Sequence, residues 1–422
     1  MKLKTLLIGA SAFGFAAAAQ AQTVINITGA TAFRSAAHAA IVAAFTESGA
    51  LGTTWNYAHN STSGNGGKAV LAIYKGTFPG ITGTTVIRTS WTGSVEGVRA
   101  LTKPTLVPET YLTDSSANIA AAGENFSKSA TETSTVHAFA FADMAQAAAP
   151  AAYALPKLSG GPVGVIAFAP VINKDADASI TNITINQFRR LVSSGTIPLS
   201  MLTGNASSNG TVYNVSRNDG SGTRVIELSE IGHGQANPVK GYLLTGNGSL
   251  NTPVLCPTTA DTVTYPNTAV SNDFSTVSIL GNGGYNSGGT IAGWMKLASS
   301  GNFNIVSWVG TSDAVSAQNF VTTNGTSTAT GGRLLSYNGE KLNGVAAGAL
   351  STADKSKIAL GKYSCWSFEN LFYVGTLATG SAKKTVYNKL VSVIPANLGS
   401  AGVALTDMTV TRTTDGGIIA PK

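Results

Sequence analysis

The sequence predicts an α/β protein with more than one core. Short apolar strands alternate with amphipathic helices along most of the 422 residues, the pattern of layered α/β structure. A chain of about 400 residues is too long for one compact core, so two domains are expected. A strand, a glycine-rich turn and a helix follow one another at Tyr213–Ile231, the unit from which such layers are assembled.

Residues 1–21 read as a secretory signal. Lys2 and Lys4 open it, Leu6 to Ala19 is apolar and small, and Ala19-Gln20-Ala21 fits a small-x-small cleavage site. The mature chain is expected to begin near Gln22, exported to the periplasm or medium. There is no cysteine at the cut to carry a lipid. No later run reaches the ~18 apolar residues of a membrane span, so no membrane insertion is expected after cleavage.

The first strand is Val24 to Ile27, followed by a helix from near Thr31 to Phe45 with Gly49 as its stop. Thr84 to Thr89 is a second strand, leading through Gly93-Ser94 into a helix from Val95 to about Leu101. The nearly continuous apolar run Val163 to Phe168 suits a strand buried on both faces. Thr184 and Gln187 fit a capping box, and Ile185, Phe188, Leu191 and Val192 line one helix face that Gly195 ends. Tyr213 to Ser216, Phe303 to Trp308 and Phe368 to Val374 are further strands. Three stretches rich in Ser, Thr, Asn, Gly or Ala read as loop-like insertions: Thr102 to Ser134, Asn247 to Gly289 and Ser316 to Gly348.

Composition narrows the function classes. Charged residues are 11% and hydrophobic ones 43%, which excludes disorder, and the formal charge of +7 is mild. It lacks the dense Lys/Arg clusters with interleaved aromatics of a nucleic-acid surface. Cys256 and Cys365 have no metal-ligand spacing, and whether they form a disulfide is left open. His38, His59, His137 and His233 fall in no paired metal motif, there is no Gly-x-Ser-x-Gly elbow, and Ser221 has no base near it in sequence. No catalytic residue, metal or cofactor is assigned.

The most informative stretch is Arg217-Asn218-Asp219-Gly220-Ser221-Gly222-Thr223. A glycine-rich turn feeding a helix aims free N–H groups and the positive end of the helix dipole at one point. Arg217 adds a planar fork for two oxygens of one anion. Asp219 is expected to cap the helix or, better, to brace the guanidinium by a salt bridge. Gly29-Ala30-Thr31-Ala32-Phe33 and Gly93-Ser94 repeat the chemistry of a hydroxyl at a helix start, with capping as the plain alternative for Thr31. Phe139 to Ala142 is apolar and ends in Asp143, either a turn former or a carboxylate facing the anion. In the second role it repels an anion unless that anion brings a proton, which selects hydrogen phosphate and rejects sulfate.

These segments together resemble the periplasmic phosphate-binding proteins of ABC importers, a branch of the type II solute-binding proteins. Arg-x-Asp-Gly-Ser-Gly-Thr stands unbroken from Arg217 to Thr223, Gly29-Ala30-Thr31 matches the first anion loop, and Gly93 to Val98 resembles the second. The resemblance extends over Val163 to Gly195 and returns at Lys362 to Phe372. It departs at Val95 and Glu96, which replace small residues, with Glu96 bringing a negative charge near the ligand, and at Ala142, which replaces a serine.

The resemblance implies two Rossmann-like lobes, residues 22–160 with 361–422 and residues 161–360, joined by two crossover strands. It implies Thr31, Ala32, Ser94, Asp143, Arg217, Ser221, Gly222 and Thr223 as the phosphate-binding set, and an ABC permease as partner. Two other readings compete: a secreted surface or matrix protein on the same fold that binds partners through its insertions, and, with thinner support, a phosphate-ester hydrolase. A binder of another oxyanion is a variant of the first reading.

Overall fold

The computed structural model describes residues 22–62, 64–106, 108–244, 254–255, 283–298, 303–323, 326–344, 350–399 and 402–422. The expected signal segment and Cys256, and with it any disulfide, lie outside the described residues. Cys365 is buried.

The strands that place the site are β1 (Thr23–Gly29), β2 (Trp55–His59), β3 (Leu71–Thr77), β4 (Thr84–Ser90), β5 (Phe139–Ala142), β6 (Leu158–Ile172), β7 (Thr196–Pro198), β8 (Thr211–Val215), β9 (Asn304–Gly310) and β10 (Trp366–Val374). The helices are α1 (Arg34–Thr46), α2 (Ser94–Thr102), α3 (Ile185–Ser194), α4 (Gly222–Glu230), α5 (Gly288–Met295), α6 (Thr311–Ala317) and α7 (Ala382–Asn397). One mixed sheet runs β7-β8-β9-β6-β10-β5-β1-β4-β3-β2, with Glu124–Asn125 on its far edge. The chain is thus of the α/β class.

Its two wings are built differently. In one, β1 lies parallel to both β4 and β5. In the other, β8 is parallel to β9. Between them β6 and β10 pair antiparallel along nearly their whole length, with a register shift between Glu369 and Asn370. The expected strand at Val163 to Phe168 is the centre of a 15-residue strand, so the chain passes through both wings without a break.

A buried cluster is centred in each wing, the second one reaching Val95, Val98, Ala140 and Ala142 of the first wing as well. Around β1 it comprises Ile25, Ile27, Phe33, Phe45, Trp55, Tyr74, Ile87 and Phe141, joined by Val386, Leu390 and Ile394 of α7. Around β8 and β9 it contains Phe188, Leu191, Val215, Ile226, Trp308 and Trp366. The apolar face of α3 enters this cluster as its sequence pattern requires. Its Thr184–Gln187 capping box is formed and Gly195, at φ 80°, ends it in the left-handed region. Residues after α7 return to this second cluster through Val403 and Met408.

Two of the expected insertions are partly structured. In the first, Glu109–Leu112 pairs with Thr131–Ser134, and Leu112 is buried with Ala58, Ile73 and Val86. In the last, Phe320–Thr323 and Thr326–Ala329 form a hairpin. Most of the middle one lies outside the described residues, but its last residues reach the site. Among the described residues no helix is long and apolar enough to cross a membrane, and no group of three His, Cys, Asp or Glu could hold a metal ion.

Candidate functional site

The carboxyl ends of parallel strands are where an open α/β sheet presents its loops to a ligand. Here the ends of β1, β4 and β5 supply Thr31, Ser94 and Asp143, while those of β8 and β9 supply Arg217 and Asp313. The two sets meet across the seam between the wings.

The first wall depends on close backbone approach. Gly29 has φ +116°, and a Cβ there would lie 2.0 Å from the Phe141 carbonyl oxygen. Only glycine allows β1 to pass so near the end of β5, where Ala30 N–H donates to Phe141 O at 2.9 Å. Gly93, at φ +122°, likewise leaves room for the Gly220 carbonyl from the other wing, which accepts from Val95 N–H at 3.1 Å. That bond ties the start of α2 directly to the opposite turn.

Ser94 and Asp143 form one unit. The Ser94 hydroxyl donates to Asp143 Oδ1 at 2.5 Å, and the Asp143 N–H donates back to Ser94 Oγ at 3.3 Å. Asp143 is buried. Burial pushes its carboxyl up to about 6, against the hydrogen bond from Ser94 and the charge of Arg217, while Asp415 adds to the rise. Opposite it stands Gly222, where a Cβ would fall 1.7 Å from Asp143 Oδ1 and 2.6 Å from Ser94 Oγ. The first residue of α4 is glycine because the carboxylate occupies the space a side chain would need.

Arg217 is the most enclosed cation of the site, 1% exposed. Its Nε donates to Tyr285 O at 3.0 Å and Nη2 to Asn286 O at 2.7 Å. Nη1 donates to Thr223 Oγ1 at 3.2 Å and Nη2 to Thr31 Oγ1 at 3.1 Å, the latter from across the seam. Arg224 Nη1 donates to the Arg217 carbonyl at 3.1 Å. Glu227, one turn further along α4, is buried and pushed up to about 8 by desolvation, with Arg224 and Arg217 pulling it down.

The expected brace from Asp219 is corrected. Asp219 is exposed and is not among these partners of the guanidinium. Two main-chain carbonyls hold the fork instead, because Tyr285 bridges to the backbone of Arg217 as a short parallel β-contact. Asp219 does not cap the helix either: Ser221 is the N-cap, accepting from Arg224 N at 3.4 Å. Thr31 is not a cap, since α1 begins at Arg34 behind Phe33 with no side-chain cap bond. Glu96 turns toward Arg99, their closest atoms 2.5 Å apart. Burial raises it despite that pair, and Asp219 adds to the effect.

Thr31, Ser94, Asp143, Arg217, Ser221, Gly222 and Thr223 are therefore brought together, and Ala32 is buried beside them, 3.2 Å from a Cβ built on Gly310. Thr31, Thr223 and Ser221 all use their oxygens as acceptors, which leaves each O–H to donate elsewhere. The first N–H groups of α4 have no partner within the helix. The arrangement can satisfy an anion that carries one proton, with Asp143 as a carboxylate acceptor.

Sequence reasoning missed the carbonyl clamp at Tyr285–Asn286 and the carboxylate of Asp313. A signal for both existed. Ser287-Gly288-Gly289-Thr290 and Gly310-Thr311-Ser312-Asp313 each place small and hydroxyl residues at a helix start, as the three recognised loops do.

No family model matches the chain, and neither does any curated protein. Among solved structures it is similar to a Clostridium perfringens protein whose structure carries bound phosphate, at 12% identity over 90% of this chain and 100% of that one, with TM-score 0.45. It is similar to an ABC-type phosphate transport receptor from Vibrio cholerae, at 13% identity, 90% and 99% coverage and TM-score 0.43. A human phosphate binding apolipoprotein matches at 14% identity, 90% and 91% coverage and TM-score 0.39. These are distant likenesses in the course of the chain.

Proposed function

We propose that this chain is an exported binding protein that captures hydrogen phosphate between its two wings and delivers it to an ABC-type permease. The observation that carries the reading is the buried Asp143 carboxylate, held by Ser94 and set against the first turn of α4 and the guanidinium of Arg217. A site meant for any anion would gain nothing from a carboxylate at its centre, because it costs affinity for every ligand without a proton to give. Dehydrating phosphate is expensive, so each of its oxygens needs donors. Thr31, Ser221, Thr223, Arg217 and the free N–H groups of α4 supply them, and Asp143 accepts the proton.

On this reading binding is a clamp. Thr31 bonds to Arg217, and Val95 to Gly220, only while the wings are together, so release requires these contacts to part in a hinge motion at β6 and β10. Trp91 is buried against Phe141 in the first wall and reports on that motion. Titration of its fluorescence with phosphate, arsenate, sulfate and molybdate tests the reading. A saturable response to phosphate and arsenate, with none to sulfate, is expected. Equal responses to phosphate and sulfate would sink it.

A further inference from the structure

Asp219 stands at the surface, but a further carboxylate, besides Asp143 and Glu227, acts on Arg217 from another segment. Asp313, in the first turn of α6, faces the same glycine as Arg217. A Cβ built on Gly288 would lie 2.4 Å from Asp313 Oδ2 and 3.5 Å from Arg217 Nη1. Any larger residue at 288 would push the carboxylate away. On the next residue, a Cβ at Gly289 would lie 3.4 Å from Arg34 Nη2 and 3.6 Å from Asp313 Oδ1. Two adjacent glycines thus keep open the space between one carboxylate and two guanidiniums. Arg34 begins α1 and belongs to the opposite wall, and Ala32 packs on Gly310 at this same place. Lys68 and Lys296 act on Asp313 as well, but burial outweighs all four cations and raises its carboxyl.

We propose that Asp313 is a positioning residue that balances the charge of Arg217, and that with Arg34 it forms an attraction across the seam favouring closure on the anion. This rests on the phosphate reading for its effect on affinity, but not for its effect on closure. A carboxylate in the first turn of α6 is favoured by the helix dipole, and that helix keeps it on its own wall whether or not the wings meet. Arg34 approaches it only when they do. The pair therefore rewards the closed form, and a neutral residue at either position removes that reward.

The test uses the full mature chain with Asp313→Asn, Asp313→Glu, Arg34→Gln and the double variant Asp313→Asn/Arg34→Gln. Inorganic phosphate is titrated by Trp91 fluorescence, and small-angle scattering is recorded without phosphate. Each neutralising variant is expected to weaken phosphate about tenfold, below the coupling of a close charge pair across an interface. The double variant should be little worse than either one, and Asp313→Glu should recover most of the loss. Scattering should show a larger radius of gyration for both single neutral variants than for wild type. Tighter phosphate binding by Asp313→Asn, additive losses, or an unchanged radius would each overturn the proposal. If wild type ignores phosphate, the functional reading fails while scattering still decides the closure claim. If Asp313→Asn does not fold, the partly exposed Arg34→Gln carries the same test.

Discussion

The two walls of the site carry similar chemistry on different supports. The wall around β1 is built at strand ends, where Gly29 passes against the Phe141 carbonyl, Gly93 leaves room for the Gly220 carbonyl and Ser94 is bonded to Asp143. The wall around Arg217 is held by a loop and helix starts instead, with carbonyls of Tyr285 and Asn286 holding the guanidinium and Asp313 facing it from a third segment. The first wall fails when its backbone spacing is disturbed. The second fails when one buried charge loses its surroundings.

The sharpest way to break the second wall is Arg217→Ala. It strands the Tyr285 and Asn286 carbonyls and removes the central cation, so phosphate binding is expected to fall about 1000-fold in calorimetry. Stability should fall by about 3–5 kcal/mol in denaturant unfolding, the usual cost of breaking a buried charged network. The matching attack on the first wall is Gly29→Ala. Its Cβ cannot fit 2.0 Å from a carbonyl at positive φ, and a loss of roughly 3 kcal/mol is expected from overpacking and strain combined. Gly222→Ala sits between the two. It should leave most of the stability intact but displace Asp143, weakening phosphate about 100-fold, as a small misplacement at a binding centre does.

The Asp143 carboxyl lies at about 6 against an ordinary 3.8, so the folded chain holds this proton more tightly than the unfolded one. Its contribution to stability is complete below about pH 4 and is lost as pH rises through about 6. Glu109 and Glu227, pushed up by burial to about 7 and 8, act in the same direction. Melting temperature should therefore drop between about pH 5 and 7, and Asp143→Asn should flatten part of that drop. The smallest effect belongs to Asp219→Asn. An exposed carboxylate should change stability by less than about 0.5 kcal/mol, and phosphate affinity by less than about threefold. A larger loss would restore Asp219 as the brace.

This contrast also explains what the sequence disclosed. The strand-turn-helix units were legible because glycine, hydroxyl and apolar positions repeat at short spacing, and they located Thr31, Ser94, Asp143 and Arg217 to Thr223. Those residues do converge in the structure. What holds Arg217 was harder to read, because backbone carbonyls leave no residue signature of their own and only the Ser287-Gly288-Gly289-Thr290 helix start that follows Tyr285–Asn286 marks the place. Asp219 misled because adjacency in sequence suggested a salt bridge, whereas the turn carries its side chain outward. The helix expected from Thr31 begins three residues later, since Ala30 and Thr31 are used in reaching Phe141 and Arg217.

On the proposed reading, Asp143 makes this site choose an anion by its proton. Isothermal calorimetry of wild type and Asp143→Asn, each with phosphate and with sulfate near neutral pH, tests it most directly. Wild type should prefer phosphate by at least about 100-fold, within the discrimination a buried hydrogen-bonding group provides. Asp143→Asn should lose most of its phosphate affinity and close the gap to sulfate. Equal binding of the two anions by wild type, or an unchanged preference in Asp143→Asn, would contradict the claim.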